Sequence, residues 1–401
     1  MNETMNGRSH TLLDFHARQS GLKDDAKTKL FQAPGRVNLL GEHTDYSGGF
    51  CMPAALSFNT LVAATPRTDG MLRLHSMDAD YGTAEISLAA LRDPGVMPKG
   101  DDWTSYCFGV AWSLLDRGVA LEGADLSLTG NVPQGAGLSS SASVEVAVAT
   151  ALLGLAGVSI PGPQKALLCQ RAENVYVGAP CGIMDQFISA NGVRDNALAI
   201  DTRALTSELA PIPESLRLIV CNSMVKHSVA GADGPYATVR RQVEEAANAL
   251  NKRNAVIQQL RDATLDDLYA GKADMSEVAF KRARHVISDS QRVLDGVAAL
   301  RAGNLKRFGQ LMTEAHASFR DDFGASCHEC DILVEIATAL PGCLGSRLTG
   351  GGFGGCTVSL VQADHAESFA AALREGYRTR TGVMADEFIC EIADGAGAVE
   401  D

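Results

Sequence analysis

From Val144 to Leu155 almost every residue is apolar, on all faces of the helix that this stretch predicts. A helix without a polar face must be covered on every side, so it has to lie inside a layered fold. What precedes it is equally restrictive. Leu126–Leu128 alternates with polar residues as a strand does, and Asn131-Val-Pro-Gln-Gly-Ala-Gly-Leu-Ser-Ser-Ser-Ala142 runs from the strand end into the buried helix. Gly135 and Gly137 permit tight turning around Ala136 and Leu138, while Ser139, Ser140 and Ser141 stand where the helix's first unpaired N–H groups point outward. Such a helix end attracts phosphate, because its N–H groups are free and its dipole end is positive. A serine hydroxyl can add a further donor or a ligand for Mg²⁺. An ordinary serine cap accounts for one of these serines; three behind two glycines exceed what capping needs. Residues 135–141 are therefore expected to cradle phosphate.

A second stretch, Gly35-Arg-Val-Asn-Leu-Leu-Gly-Glu-His-Thr-Asp-Tyr-Ser-Gly-Gly-Phe-Cys-Met-Pro53, gathers Arg36, Glu42, His43, Asp45 and Tyr46 on a backbone set by glycines and prolines. An arginine, two carboxylates and an imidazole supply donors and acceptors for a ligand dense in hydroxyls, and the glycines let the chain approach it closely. A polar surface loop between strands is the bland alternative, which the phosphate-type motif downstream disfavours.

Composition limits the partners. Lys plus Arg is 35 against 48 for Asp plus Glu, a net charge of −13, and no basic run is present, so a nucleic-acid role is not expected. An anionic nucleotide would need local donors and a divalent cation to overcome that field. No run of eighteen apolar residues occurs, which argues against a membrane span. The ten cysteines are scattered through apolar or Gly-rich contexts, the pattern of reduced thiols, so a soluble cytoplasmic protein is expected.

The 401 residues suffice for two medium domains, and the texture changes near residue 205. Before it come a short helix over 11–20, a charged turn at Lys23–Lys29, and strands at Leu30–Ala33, Leu56–Ala63, Leu72–His75 and Ala84–Leu88. Helices follow at Trp103–Leu115 and about 163–177, with a strand at Ala197–Asp201. After it come a strand at Leu216–Cys221, long charged helices near 236–252, 276–302 and 304–319, strands about Ser346–Thr349 and Thr357–Val361, a helix over 365–376 and a strand at Glu387–Ile392. The tail Asp394–Asp401 reads as frayed. The sum is an α+β chain of two lobes, 1–205 and 206–401.

Further candidates are single residues. Asp185, in the apolar Cys181-Gly182-Ile-Met-Asp segment, is either a helix cap or a functional carboxylate. Glu173 is a solvated helix charge or a Mg²⁺ ligand, and Tyr236, after Gly234-Pro235, reads by default as core. Gly350–Gly355 formally fits a dinucleotide fingerprint but precedes a strand where that motif opens a helix, so it is read as a backbone pressed closely against a ligand or the other lobe. Gly271-Lys272-Ala273 lacks the spacing of a Walker A loop. Cys327-His-Glu-Cys330 has no second Cys/His pair at finger spacing and reads as incidental. His75, His227, His285 and His316 read as structural.

With these three glycine-bearing motifs in order, the chain resembles the GHMP small-molecule kinases over nearly its full length. Pro133–Ala142 resembles the shared ATP motif and Leu348–Cys356 the third motif, while Gly35–Pro53 is similar to the sugar signature of the galactose-specific branch. Arg282–Asp289, Phe308–Met312 and His316–Asp322 also resemble that branch. The resemblance implies a two-lobed fold with mixed sheets and an active site in the cleft between lobes. It implies ATP-dependent phosphorylation of the anomeric hydroxyl of D-galactose, the first step of galactose use, by a monomer with Mg²⁺. Glu42, His43 and Asp45 would then bond sugar hydroxyls, with Gly182 and Tyr236 lining that pocket. Asp185 would act on the anomeric hydroxyl with Arg36 beside it, Gly135–Ser141 would wrap the phosphates, and Ser141 and Glu173 would hold Mg²⁺. Trp103 and Tyr106 would lie near adenine, although Ser105 and Phe108 stand where the family has Asn and Lys. A kinase for N-acetylgalactosamine or another sugar, or a non-catalytic sensor of galactose and ATP, are the alternatives.

Overall fold

The computed structural model describes residues 5–20, 28–78, 81–93, 102–225 and 234–399. Its strands are β1 (Lys29–Asn38), β2 (Phe50–Cys51), β3 (Pro53–Pro66), β4 (Met71–Ser76), β5 (Thr83–Ser87), β6 (Ala124–Gly130), β7 (Asn196–Asp201), β8 (Thr206–Pro211), β9 (Leu216–Asn222), β10 (Cys343–Thr349), β11 (Cys356–Gln362), β12 (Asp386–Cys390) and β13 (Gly397–Ala398). They form a six-stranded sheet ordered β13-β1-β3-β6-β4-β5, a four-stranded sheet β10-β11-β9-β12 and a three-stranded sheet β2-β7-β8. The parallel pairing of β4 with β6 makes the first sheet mixed; the pairs in the other two are antiparallel.

The all-apolar helix runs over Ser140–Ala156 and is buried along its length, as its composition requires. It packs on β1 and β3 on one side and on the helices Trp103–Asp116 and Gly162–Arg171 on the other. Its first turn is tied down by Ser143, whose hydroxyl donates to the Ala33 carbonyl at 2.8 Å and accepts from the Thr60 N–H at 3.1 Å. The phosphate-type loop is thereby fixed to the sheet at the point where β1 delivers Arg36. A second core joins both halves of the chain: Val37, Leu39, Leu40 and Met52 pack with Phe308, Leu311, Met312 and the β9/β11 face.

Several boundaries differ from expectation. The first helix begins at Met5, and β1 continues through Gly35 and Arg36, with a bulge between Pro34 and Arg36, so the first part of the Gly35–Pro53 stretch is strand. Lys29 already belongs to β1, while residues 23–27 of the expected charged turn lie outside the described residues. The expected helix over 163–177 divides into Gly162–Arg171 and a π-helical turn, Ala172–Val177, and a second π turn, Phe319–Phe323, ends the Leu305–Ser318 helix. A short helix, Met184–Asn191, and the strand β8 had no signal in the sequence. The turn between β7 and β8 contains residue 205, so the strands on either side of the expected boundary pair with one another. The tail is ordered to Val399: Gly397–Ala398 pairs with Phe31 and Gln32 of β1, because its backbone groups find partners on that sheet edge. His227 and the last two residues lie outside the described residues.

Candidate active site

Asp185 is the second residue of the Met184–Asn191 helix, but it does not cap that helix. Its carboxylate takes two parallel bonds from Arg36, Nε to Oδ1 at 2.8 Å and Nη2 to Oδ2 at 2.7 Å, across 149 residues of sequence. Arg36 also donates from Nη1 to the Gly137 carbonyl, and the Ser139 hydroxyl donates to Asp185 Oδ2. Ser139 adopts a left-handed backbone (φ 60°) just before the Ser140–Ala156 helix and makes no capping bond. That conformation turns its side chain away from the helix's free N–H groups, where the sequence placed it, and toward Asp185. The Arg36 side chain is 5% exposed and that of Asp185 30%, so the carboxylate faces the cavity with the guanidinium behind it. Burial works against the charge on Arg36, yet Asp185, Glu42 and Asp45 outweigh it and hold its pKa above the ordinary value.

The polyol-type residues surround this pair. Glu42 Oε1 accepts the Gly350 N–H at 2.8 Å, and burial pushes the Glu42 carboxyl up to about 7 against the pull of Arg347 and Arg36. His43 Nε2 lies 3.2 Å from the Gly351 carbonyl, which only accepts, so that nitrogen carries the proton. Nδ1 therefore accepts the Tyr46 hydroxyl at 2.9 Å. Both ring nitrogens are engaged by the protein, and burial lowers the His43 pKa to about 3, so the ring is neutral. A sugar hydroxyl reaching His43 would have to displace Tyr46 or Gly351. Asp45 accepts from the Met184 N–H at 3.1 Å and the Tyr46 N–H at 3.0 Å, and burial raises its pKa. Gly182 faces it so closely that a Cβ there would sit 1.7 Å from Asp45 Oδ2. Tyr236, at the start of the Pro235–Arg253 helix, places its ring 5.1 Å from that of His43.

These residues line a cavity of about 320 Å³, together with Gly135, Gly137, Leu138, Ser139, Ser140, Ser141, Glu173, Gly350 and Gly351. A second cavity of about 600 Å³ adjoins it, sharing Tyr106, Gly135, Ser140 and Ser141 and walled by Trp103 and Tyr81. Phe108 lies in the core of the first lobe-like half and lines neither cavity. Ala136 lines neither; its side chain is buried in the second core. The third glycine motif presses on the phosphate-type loop itself: a Cβ on Gly350 would lie 2.7 Å from the Gly137 carbonyl oxygen, and one on Gly355 2.9 Å from that of Ala136. β11 follows it, so it is no dinucleotide fingerprint.

Two buried side chains here were not singled out from the sequence. Gln186 Nε2 donates to Glu173 at 2.6 Å and to Glu145 at 3.0 Å, and burial raises the pKa of both carboxyls. Glu145 is the lone charge in the apolar Val144–Leu155 run, a signal that was legible. Among the described residues Glu145 Oε1 and Gln186 Oε1 are buried without a partner, and Ser141 faces Glu173. Among the described residues no group of three or more His, Cys, Asp or Glu forms a metal cage. Mg²⁺ does not require one; it is commonly held by one or two protein oxygens, waters and substrate phosphates. Among the described residues the 320 Å³ cavity carries Glu42, Asp45, Glu173 and Asp185 against the one cation Arg36. A polyphosphate entering so acidic a space needs a cation, and Ser141 with Glu173 fits that group. Elsewhere the residues read as structural remain so: His285 and His316 are buried and hydrogen-bonded, and Cys327 and Cys330 are free thiols.

An acid-lined polyol pocket beside a glycine–serine loop at a buried helix N-terminus, with a third glycine run against that loop, defines a GHMP kinase. Family models match in the same order: the GHMP kinases N-terminal domain over residues 105–193 and the GHMP kinases C-terminal domain over residues 297–379. The galactokinase galactose-binding signature matches residues 19–66. The chain is 44% identical to the galactokinase of Roseiflexus sp. (strain RS-1) over 372 residues, 93% of each protein. It is also 44% identical to the galactokinase of Chloroflexus aurantiacus over 375 residues, 93% of this chain and 94% of that one. The structure of Lactococcus lactis galactokinase complexed with galactose superposes with a TM-score of 0.91 at 31% identity, covering 97% of this chain and 99% of that one. The mevalonate kinase of Methanococcus jannaschii, at 18% identity and a TM-score of 0.64 over 92% and 99%, shares the fold. This chain belongs to the galactokinases.

Proposed function

We infer that the protein transfers the γ-phosphoryl group of Mg-ATP to the anomeric hydroxyl of D-galactose, giving galactose 1-phosphate and ADP. The observation that carries this reading is the Arg36–Asp185 pair, bonded to Ser139 of the phosphate-type loop on one side and flanked by Glu42 and Asp45 on the other. Phosphoryl transfer has a loose transition state, so the protein mainly positions reactants and balances charge. Asp185 orients the anomeric hydroxyl and takes its proton late, since Arg36 and Ser139 already engage both of its oxygens and a cation beside a carboxylate weakens it as a base. Arg36 stabilises negative charge that develops on the transferred group. Glu42 and Asp45 accept sugar hydroxyls, with His43, Gly182 and Tyr236 shaping the pocket. Gly135–Ser141 wraps the phosphates, and Trp103 and Tyr106 wall the nucleotide base. Ser141 and Glu173 would hold Mg²⁺, which would supply charge neutralisation at the phosphates. The cleft location, a monomeric state, a cytoplasmic setting and the division at residue 205 belong to the same reading. Among the described residues no helix is long and apolar enough to cross a membrane.

The test is Mg-ATP turnover over galactose, N-acetylgalactosamine, glucose and arabinose, with Asp185→Ala alongside. Galactose is expected to be the substrate and its 4-epimer glucose to be rejected, because inverting one hydroxyl leaves buried groups unpaired at about 1–3 kcal/mol each. Asp185→Ala should keep galactose binding and lose turnover by at least ~10². Near-normal turnover in that variant, or equal use of glucose, overturns the assignments; galactose binding without turnover in the native chain favours a sensor.

A further inference from the structure

Glu42 is held from behind by residues that line neither cavity. Asp289, on the helix Glu277–Arg301, is fully buried, and its Oδ2 accepts two consecutive backbone N–H groups, from Gly41 at 2.9 Å and Glu42 at 3.0 Å. These residues form a turn in unusual backbone geometry, with Gly41 at φ 83° and the non-glycine His43 at φ 58°. A left-handed residue other than glycine persists only where its surroundings over-determine it. His285, one helical turn before Asp289, adds a bond from Nε2 to the Glu42 carbonyl at 3.2 Å. Between the two carboxylates lies Arg347 of β10, also fully buried, 3.7 Å from Asp289 Oδ2 and 3.8 Å from Glu42 Oε1. Its Nη2 has no hydrogen-bond partner among the described residues, and Arg292 completes the charge balance at Asp289 Oδ1, 3.1 Å away.

A buried ion network of this kind adds little to stability over well-packed apolar side chains. Its geometry here converges on one side chain of the polyol pocket. We propose that Asp289 and Arg347 are positioning residues for the sugar site, Asp289 fixing the turn that carries Glu42 and Arg347 keeping two neighbouring buried carboxylates compatible so that Glu42 can accept a sugar hydroxyl. The inference rests on the reading that Glu42 bonds the sugar. It makes sugar affinity depend on residues about 250 and 300 positions downstream, which line neither cavity.

The experiment compares Arg347→Met, Arg347→Lys, Asp289→Asn and Glu42→Gln for galactose KM, ATP KM and activity on a set of monodeoxygalactoses. Arg347→Met is expected to raise galactose KM by about tenfold to a hundredfold, the worth of one charge-assisted bond, with ATP KM unchanged. It should lose discrimination at the same deoxy position as Glu42→Gln, and Arg347→Lys should recover much of it. Asp289→Asn keeps an oxygen for the two N–H groups but removes the charge that faces Arg347 and Arg292, so it is expected to raise galactose KM by a smaller factor with ATP KM unchanged, and it decides the point where Arg347→Met does not fold. If Glu42→Gln raises galactose KM while Arg347→Met and Asp289→Asn leave it unchanged, or raise ATP KM equally, the positioning role is overturned. If Glu42→Gln itself leaves galactose KM unchanged, the sugar-binding reading of Glu42 falls and this inference with it.

Discussion

Gly182→Ala gives the sharpest test of the sugar pocket. A methyl group at this position would lie 1.7, 2.1 and 2.4 Å from Oδ2, Cγ and Oδ1 of Asp45, whereas side-chain carbons keep at least 3.0 Å from such atoms. The carboxylate must retreat by roughly 1.3 Å, which this short side chain can do only by turning away from the backbone groups that hold it. The retreat breaks the bond from the Met184 N–H, now 3.1 Å, and strains that from the Tyr46 N–H at 3.0 Å. Hydrogen bonds to a charged group are each worth about 1.5–3 kcal/mol. If the sugar loses one acceptor of that kind, galactose affinity falls by about tenfold to a hundredfold. Titration calorimetry with galactose reads this directly, and ADP binding to the same variant should hold within about threefold, since Gly182 lines only the smaller cavity. Galactose affinity within twofold of wild type would show that Asp45 is not a ligand for the sugar or that the pocket wall yields, and would refute the packing argument.

Three further outcomes follow from the same geometry. His43 and His285 are held neutral by burial, with pKa lowered from 6.5 to about 3 and about 4, so unfolding takes up their protons and stability falls as pH drops below 6.5. Glu42, raised from 4.5 to about 7, works in the opposite direction between those values, so Glu42→Gln should steepen the acid loss in urea unfolding between pH 5 and 7; a shallower slope contradicts this balance. Deleting residues 394–401 removes the N–H groups of Gly395, Ala396 and Val399, which bond the carbonyls of Gly192, Ser189 and Leu30, and should lower unfolding stability by about 2–3 kcal/mol. An unchanged denaturation midpoint would mean that the tail is dispensable. Glu173→Gln should raise the Mg²⁺ concentration for half-maximal activity about tenfold while leaving galactose KM alone; an unmoved Mg²⁺ requirement removes Glu173 from the metal site.

Much of the site was legible because its parts are local in sequence. Residues 36–45 and 135–141 each bring several functional side chains on one short segment, and the helix Ser140–Ala156 followed from a composition that allows no exposed face. What was not legible depends on tertiary contact. Nothing near Ser139 foretells a left-handed backbone that turns its hydroxyl to Asp185, and nothing near Asp289 foretells two N–H groups 247 and 248 residues away. β8 has five exposed positions among its six residues, so it lacks the alternation that marks a half-buried strand. β13 is two residues long and exists only because β1 offers an edge. Gln186 stayed hidden for another reason: beside Asp185 it looks like ordinary helix polarity, and only the depth of Glu145 and Glu173 gives its amide a task.

If Gly135–Ser141 wraps the phosphates as proposed, the contact between the glycine runs at 135–137 and 350–355 sets how the nucleotide is received. Peptide planes from distant parts of the chain lie against each other with no side chains between them, so neither loop can be reshaped without pushing on the other. A phosphate mould of that kind would be complete when folding ends, leaving little ordering for ATP to impose. Sequence change is correspondingly restricted at both sites, since a single methyl group on Gly350 or Gly355 would act on the cradle from outside it. Discrimination among nucleotides would then fall to the larger cavity, which Trp103, Tyr81 and Tyr106 line.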